Sequence, residues 1–348
     1  MTNTFVLMTA MPPTKGHLEL IQYAQLLAGS GYTTVIVCTQ PDEPFVDERV
    51  AALRDSVSDG VTIQRIHRTL PQEPEEDPGF WNMWGDFLRW AGFNPGDYVV
   101  ASEPYGVRLA EEVGGSFMPY DPSRFTREIR ATRVRKNPIQ HFSEILPAFQ
   151  PYLRQTVTVF GAESCGKTTL VQELGTHGWT FPEWARPYLE LLGPETTREG
   201  MLDIFEGQTA LQMHARLNFK DKPFVFQDTD LYSTIGYWEM WQSRFGDMPP
   251  YWEAIAGAWK SDLYLILPST IPFEVDPLRY GGDHREGSDE FWIGIAEKYN
   301  LNYIVMKEHG VTHRWAEALR YSRELFDKNA QLSYDRVTKE SLTNTTEW

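Results

Sequence analysis

The sequence predicts an α/β protein with two domains, each built on a parallel β-sheet. The chain has 348 residues, enough for two ordinary domains of about 100–200 residues each. A phosphate-binding loop begins near the middle of the chain, at Gly161, and such a loop normally opens its own domain. The start of the chain reads strand, loop, helix, strand, which is the repeating unit of a parallel sheet. The half of the chain before the loop must therefore form a separate domain.

The N-terminal unit places a short polar motif where a ligand would bind. Residues 5–9 read as a buried strand, residues 17–28 as a helix and residues 33–39 as a second strand. The first connection ends in Thr14-Lys15-Gly16-His17. Ligands of parallel sheets lie at the carboxyl ends of the strands, so we expect this loop to contact a bound ligand.

The motif T-x-G-H resembles the [HT]-x-G-H signature of the nucleotidyltransferase superfamily. The resemblance implies a Rossmann-like nucleotidyltransferase domain in which His17 and Thr14 bind the nucleotide phosphates. Met11 and Gly16, from the same loop, join the candidate nucleotide-binding residues. The alternative is that these are ordinary residues of a loop and a helix start.

A second stretch is similar to another signature of that superfamily, I-S-x-[ST]-x-I-R. Its matching positions are Ile129, Thr132, Val134 and Arg135, whereas Arg130 stands where the family has Ser. The resemblance implies that Thr132 binds the nucleotide by capping a helix and that Arg135 neutralises charge on the leaving pyrophosphate. A solvated basic helix face is the other interpretation of this arginine-rich segment.

Two tryptophans lie between these motifs on a predicted amphipathic helix, residues 79–91. Core packing is the default role of its rings. Trp81 and Trp84 also resemble an aromatic pair of nicotinamide-mononucleotide adenylyltransferases, in which a ring would stack on the pyridinium of the substrate. We treat both as candidate substrate-binding residues.

The loop in the middle of the chain has the form G-x-x-x-x-G-K-T between an apolar strand and a helix. Its glycines allow backbone N–H groups to turn toward phosphate oxygens, and the helix N-terminus adds positive potential. Lys167 would reach the β- and γ-phosphates of ATP, and Thr168 would hold Mg²⁺. The predicted nucleotide-binding residues of the loop are Gly161, Ser164, Gly166, Lys167, Thr168 and Thr169.

Acidic and basic residues follow two later predicted strands. Glu183 and Arg186 are three residues apart, so in a first helical turn they would share a face and serve as base and substrate-binding arginine. A surface ion pair is the equal alternative. Asp228 and Asp230 end an apolar strand, so one would organise Mg²⁺ and the other would contact or deprotonate the acceptor hydroxyl. Helix capping is their other interpretation.

A glycine-rich, charged segment spanning residues 276–287 has the composition of a mobile lid. Arg279 and Arg285 are the candidates for bracing the transferred phosphoryl group. A solvent loop with ordinary surface charges is the alternative.

The composition excludes several classes of protein. A net charge of −16 argues against general binding of nucleic acid, which depends on basic surface. The longest apolar run falls short of the ~18 residues of a membrane span, and the N-terminus does not read as a signal peptide. Two cysteines exclude a disulfide framework and fit a reducing, cytoplasmic compartment.

The order of these motifs closely resembles the bifunctional bacterial family that joins nicotinamide-nucleotide adenylyltransferase to ribosylnicotinamide kinase. The resemblance implies an adenylyltransferase-like domain (1–147), a linker (148–155), a kinase-like domain (156–328) and a polar tail (329–348). It also implies ATP, Mg²⁺, nicotinamide riboside and its mononucleotide (NMN) as the small molecules bound. The helix-turn-helix of some members has no counterpart in the sequence, so we expect no repressor role.

Two other functions stay open on the residues alone. In one, the first domain adenylates or cytidylates another phosphate, such as a pantetheine phosphate. In the other, the chain is a nucleotide-dependent sensor without catalysis. Intact Lys167 with paired acids weighs against the sensor. The sequence does not determine the oligomeric state.

Overall fold

The computed structural model describes residues 1–71, 74–123, 129–193, 195–274, 278, 287–307, 310–330 and 332. These form two compact units, Met1–Tyr152 and Leu153–Ala330. The division falls inside the predicted linker, residues 148–155.

The first unit is a five-stranded sheet with helices between its strands. The strands are β1 (Thr4–Met8), β2 (Thr33–Thr39), β3 (Val61–His67), β4 (Tyr98–Ala101) and β5 (Ser116–Pro119). The helices are α1 (Lys15–Ala28), α2 (Val46–Ser56), α3 (Phe80–Trp90), α4 (Tyr105–Val113), α5 (Ala131–Lys136) and α6 (Gln150–Leu153).

All neighbouring strands of this sheet are parallel, in the order β3-β2-β1-β4-β5. Every residue of β1 and β2 is buried, as expected for central strands with both faces covered. The connections run outward in opposite directions from β1, so a crevice opens beyond the carboxyl ends of β1 and β4.

The second unit has the same general plan. Its strands are β6 (Gln155–Gly161), β7 (Trp179–Phe181), β8 (Phe224–Asp228), β9 (Leu263–Leu267) and β10 (Tyr303–Val305). The helices are α7 (Lys167–Leu174), α8 (Ala185–Leu192), α9 (Arg198–Asn218), α10 (Leu231–Met240), α11 (Gln242–Phe245), α12 (Trp252–Ala258), α13 (Ser288–Lys298) and α14 (Val311–Ala330).

Its parallel strands have the order β10-β9-β6-β8-β7. The phosphate-binding loop follows β6, the central strand, and β8 lies directly beside it. The order therefore brings the loop and the end of β8 to one edge of the sheet.

The core of the second unit is rich in aromatic side chains. Trp238, Trp252 and Trp292 are each at most 2% exposed. Phe205 stacks on Trp252 with ring centroids 4.0 Å apart. Burial of each large ring stabilises the fold by roughly 1.5–3 kcal/mol. This cluster therefore fixes the positions of α9 and α10, whose side chains face the cavity described below.

The predicted α/β class with two parallel sheets is confirmed. The first helix begins at Lys15, two residues before the predicted start, because Thr14 takes the N-cap position. Across the described ranges, none of the helices is long and apolar enough to cross a membrane.

Candidate functional site

A cavity of about 280 Å³ lies at the loop edge of the second sheet. Five of the six predicted loop residues line it, and Gly161 begins the loop beneath it. Other elements add side chains to the same cavity, among them Glu183, Arg186, Gln208, Thr229, Tyr237 and Trp241.

The loop backbone needs glycine at both predicted positions. Gly161 has φ 134°, and a Cβ there would lie 2.7 Å from the backbone oxygen of Leu267 on the neighbouring strand. Gly166 has φ 92° and precedes the first residue of α7. Any other residue would be strained at these angles, so the loop keeps the shape that turns its N–H groups inward.

Lys167 and Thr168 open α7 at the cavity. The Nζ atom of Lys167 donates to the backbone oxygens of Gly161 and Ala162, at 3.0 and 2.8 Å. The ammonium group thus already lies over the loop that would hold the phosphates. The Oγ1 atom of Thr168 donates to Oδ2 of Asp228 at 2.5 Å, which joins the loop to the end of β8.

Asp228 and Thr168 fit a magnesium site. The second carboxylate oxygen of Asp228, Oδ1, is buried and has no hydrogen-bond partner among the described residues. Hard oxygen ligands suit Mg²⁺, which is usually held by one or two protein groups together with waters and substrate phosphates. The part of the chain that the structure describes contains no cluster of three or more His, Cys, Asp or Glu side chains that could hold a metal ion.

Asp230 has a structural role, so the prediction that it meets the substrate is not supported. It is 1% exposed, and its Oδ1 accepts from the backbone N–H groups of Tyr232 and Ser233, capping α10. Its Oδ2 accepts from the hydroxyl of Tyr264 at 2.7 Å. Burial outweighs these hydrogen bonds and raises the pKa of Asp230 from 3.8 to about 6.

Thr229, between the two acids, lines the cavity with φ 67°. This left-handed conformation is unusual for a β-branched residue and costs of order 1–3 kcal/mol. The turn directs the two neighbouring carboxylates to different surroundings.

Glu183 and Arg186 both line the cavity, but they do not share a first helical turn. The helix α8 begins at Ala185, with Trp184 as its N-cap, so Glu183 precedes it. Arg186 lies 3.4 Å from Glu190, one turn further along the helix, and forms a surface ion pair with it. Both predicted groups therefore border the cavity, Glu183 from the segment before α8 and Arg186 from the helix itself.

Arg314, which the sequence reasoning missed, holds the loop from α14. It is 2% exposed, and its guanidinium donates to the backbone oxygen of Cys165 at 2.5 Å. It also donates to the backbone oxygen of Pro268 and to the hydroxyl of Thr270, each at 3.2 Å. The predicted lid arginines, Arg279 and Arg285, lie outside the described residues.

The first unit has its own cavity, about 520 Å³, at the carboxyl ends of β1 and β4. It brings together residues of three predicted motifs that are distant in sequence. The predicted residues that line it are Thr14, Gly16, His17, Trp81, Trp84 and Thr132.

Thr14 and His17 form a paired unit at the start of α1. The backbone N–H of Thr14 donates to Nδ1 of His17 at 3.0 Å, and the Thr14 hydroxyl lies 2.9 Å from the same atom. Burial lowers the pKa of His17 to about 4, although part of the residue faces the cavity. We infer a neutral imidazole whose Nδ1 is an acceptor, which leaves Nε2–H as the donor.

The two tryptophans differ in burial, and both line the cavity. Trp84 is 8% exposed, packs in the core and donates its Nε1 to the backbone oxygen of Pro71 at 3.3 Å. Trp81 is partly buried and contacts Phe80 edge-on, with centroids 5.0 Å apart. Both border the cavity, and Trp81 is the more exposed of the two.

One prediction for the first unit needs correction, and two other predicted residues do not line its cavity. Thr132 does not cap α5, because the helix begins at Ala131 with Arg130 as its N-cap. Arg135 lies on α5 but does not line the cavity, whereas Arg130 does. Met11 is 4% exposed and is also not among the residues that line the cavity.

The fold and the loop define a P-loop nucleotide-binding protein with a second parallel α/β unit before it. A family model described as an AAA domain matches residues 156–314. The trifunctional NAD biosynthesis/regulator protein NadR of Escherichia coli K12 is 24% identical over 297 residues, 81% of this chain and 70% of that protein. NadR of Salmonella typhimurium LT2 is 24% identical over 299 residues with the same coverage.

The chain is homologous to NadR. A solved structure of NadR in complex with NR has a TM-score of 0.60 and 18% sequence identity, covering 97% of this chain and 98% of that one. A structure of NadR with NAD and AMP-PNP gives the same values. The likeness extends over both units of the fold.

Proposed function

We propose that the chain is a bifunctional enzyme of NAD biosynthesis. The second unit would phosphorylate nicotinamide riboside with ATP, and the first would join the resulting mononucleotide to AMP. The observation that carries this proposal is the complete P-loop, in which Lys167 and Thr168 line one cavity and Thr168 is bonded to Asp228, in a chain homologous to NadR. The NR, NAD and AMP-PNP bound in the related structures support nicotinamide riboside as the phosphate acceptor.

In the kinase step, the 5′-hydroxyl oxygen of the riboside attacks the γ-phosphorus of ATP. A new P–O bond forms, the bond to the β-phosphate oxygen breaks, and ADP leaves. The hydroxyl proton passes to a carboxylate. Glu183 is the candidate base, because Asp228 holds the Thr168 hydroxyl and Asp230 caps a helix.

Positive charge must balance the phosphates in that step. Lys167 would release the loop oxygens and donate to the β- and γ-phosphates. Thr168 and Asp228 would hold Mg²⁺, which neutralises charge on the phosphate oxygens when bound. Arg186 also lines the cavity, and its guanidinium would contribute positive charge near the acceptor.

In the adenylyl step, a phosphate oxygen of NMN attacks the α-phosphorus of a second ATP, and pyrophosphate leaves. The substrate phosphate is itself the nucleophile, so the protein contributes positioning and charge stabilisation. A neutral His17 would donate Nε2–H to a phosphate oxygen, oriented by its bond from Thr14.

The test is to incubate the protein with ATP, Mg²⁺ and nicotinamide riboside and to separate the products by chromatography. We expect both mononucleotide and NAD⁺. Mononucleotide alone would leave only the kinase activity, and neither product would contradict the proposal.

Lys167→Ala separates the two activities. It should lower riboside phosphorylation by about 10²–10³-fold and leave NAD⁺ synthesis from supplied NMN unchanged. Lys222→Ala is the matched control, because Lys222 also donates to two backbone oxygens, of Gly175 and Gly178, but lies off the cavity. Loss of both activities in Lys167→Ala would contradict two independent sites.

A further inference from the structure

Gln208 is a buried amide on α9 that borders the P-loop cavity. The residue is 3% exposed, and its Oε1 accepts a 2.9 Å hydrogen bond from the backbone N–H of Trp184. A backbone N–H can only donate, so this bond sets the orientation of the amide. The amide oxygen accepts from Trp184, and the NH₂ group takes the other position on the same amide carbon.

The Nε2 atom of Gln208 is buried and has no hydrogen-bond partner among the described residues. A buried donor left unpaired destabilises the folded state, so its retention needs an explanation. Gln212, one turn further along α9, donates its Nε2 to Oε1 of Gln227 at 2.8 Å. The helix therefore pairs the amide donor that lies away from the cavity and leaves unpaired the one beside it.

The surrounding side chains suit a flat ring. Tyr237, Trp241 and Phe245 line the same cavity. The indole of Trp184 packs on Gly207, where a Cβ would lie 1.9 Å from its Nε1. The missing side chain at Gly207 lets Trp184 approach closely enough to hold Gln208. An aromatic wall with one fixed donor would recognise a planar ring that carries an acceptor oxygen.

We propose that Gln208 donates a hydrogen bond to the carboxamide oxygen of the riboside and selects ribosides that carry such an acceptor. This inference rests on the proposed kinase function and adds its specificity-determining residue. A site built around a buried donor discriminates strongly against an analogue without the acceptor, because the donor then stays unpaired.

The experiment compares kcat/KM for nicotinamide riboside and for pyridine riboside, which lacks the carboxamide. Gln208→Met keeps the length of the side chain and removes the donor. We expect it to lose about 10–100-fold on nicotinamide riboside and less than about 3-fold on pyridine riboside. Gln212→Met is the matched control, which should change both substrates alike.

Equal losses on the two ribosides in Gln208→Met would show that Gln208 only supports the loop at Trp184, and would overturn the inference while the proposed function stands. Wild-type protein that phosphorylates neither riboside would overturn both. If Gln208→Met does not fold, the wild-type preference decides: at least about 10-fold for nicotinamide riboside supports the inference, and a ratio near 1 overturns it.

Discussion

The hydroxyl of Thr168 donates a 2.5 Å hydrogen bond to Asp228, and it joins the first turn of α7 to the end of β8. The two residues are 60 positions apart in sequence. Their pairing holds a buried carboxylate oxygen next to a hydroxyl that lines the cavity, before any nucleotide binds.

Asp228→Asn should weaken the use of magnesium. Asparagine can still accept from Thr168, but it removes the negative charge that attracts the cation. We expect the Mg²⁺ concentration for half-maximal riboside phosphorylation to rise about 10–100-fold. The measurement is the initial rate against Mg²⁺ at fixed ATP. Asp203→Asn is the control, since Asp203 accepts from Tyr188 at the surface; an unchanged Mg²⁺ requirement in Asp228→Asn would contradict the assignment.

The neutral state of His17 predicts the pH behaviour of the first unit. Its pKa in the folded protein, about 4, lies below the ordinary 6.5, so the folded state binds this proton more weakly than the unfolded state does. Stability therefore falls as pH drops from 6.5 to about 4, and adenylyl transfer should not follow a histidine titration between about pH 5.5 and 8. Nitrogen-15 NMR should show Nε2 protonated and Nδ1 unprotonated.

His17→Ala should lower NAD⁺ synthesis from NMN about 10²–10³-fold and leave the kinase step intact. His67→Ala is the matched control, because His67 also pairs its Nδ1 with a threonine hydroxyl, that of Thr39 at 3.0 Å, and lies off the cavity. Similar losses in both variants would assign the effect to folding of the sheet.

Asp230 should make stability depend on pH in the opposite direction. Its pKa in the folded protein, about 6, lies above the ordinary 3.8, so the folded state binds a proton on this carboxyl more strongly than the unfolded state does. The contribution to stability is full below pH 3.8 and is lost as pH rises to about 6, by about 3 kcal/mol. In Asp230→Asn this dependence should disappear, as measured by urea unfolding across that range.

Tyr264→Phe provides the companion test. It removes the hydroxyl that donates to Asp230 and favours the charged carboxylate, so the pKa of Asp230 should rise further. The pH range in which stability falls should then extend upward. An identical pH profile in all three proteins would show that Asp230 does not titrate in the folded state within this range.

Arg314→Lys should weaken ATP binding. A lysine ammonium cannot reproduce the fork that reaches Cys165, Pro268 and Thr270 together. Loss of a charge-assisted bond costs about 1.5–3 kcal/mol, which predicts a rise in Kd for ATP of about 10–100-fold by calorimetry. Arg320→Lys, on the same helix with an exposed partner, Glu324, should bind as the wild type does. Equal affinities for all three proteins would contradict the anchoring role.

Much of the site follows from local pattern. The P-loop is recognisable because strand, glycines, lysine and helix are consecutive, and the β-strands because buried parallel strands are continuous apolar runs. The parallel order then brings the ends of β6 and β8 together, so the Lys167, Thr168 and Asp228 group is predictable before the structure is known.

The remaining features depend on single torsion angles and on distant partners. Asp228 and Asp230 look equivalent in sequence, and the left-handed Thr229 between them separates their roles. Gln208 reads as one more polar residue on a long helix, because its partner Trp184 is 24 positions away. Thr132 is misassigned because α5 starts two positions earlier than a capping role for Thr132 requires.

The hydrogen bond from Arg314 to Cys165 has a consequence for biosynthesis of the protein. Its two ends are 149 residues apart, so the loop that follows the first strand of the second unit is completed by the last helix of that unit. During translation, the nascent chain exposes the nucleotide motif long before α14 leaves the ribosome. Tight binding of ATP should therefore begin only once α14 has been synthesised and the second unit has folded around the loop.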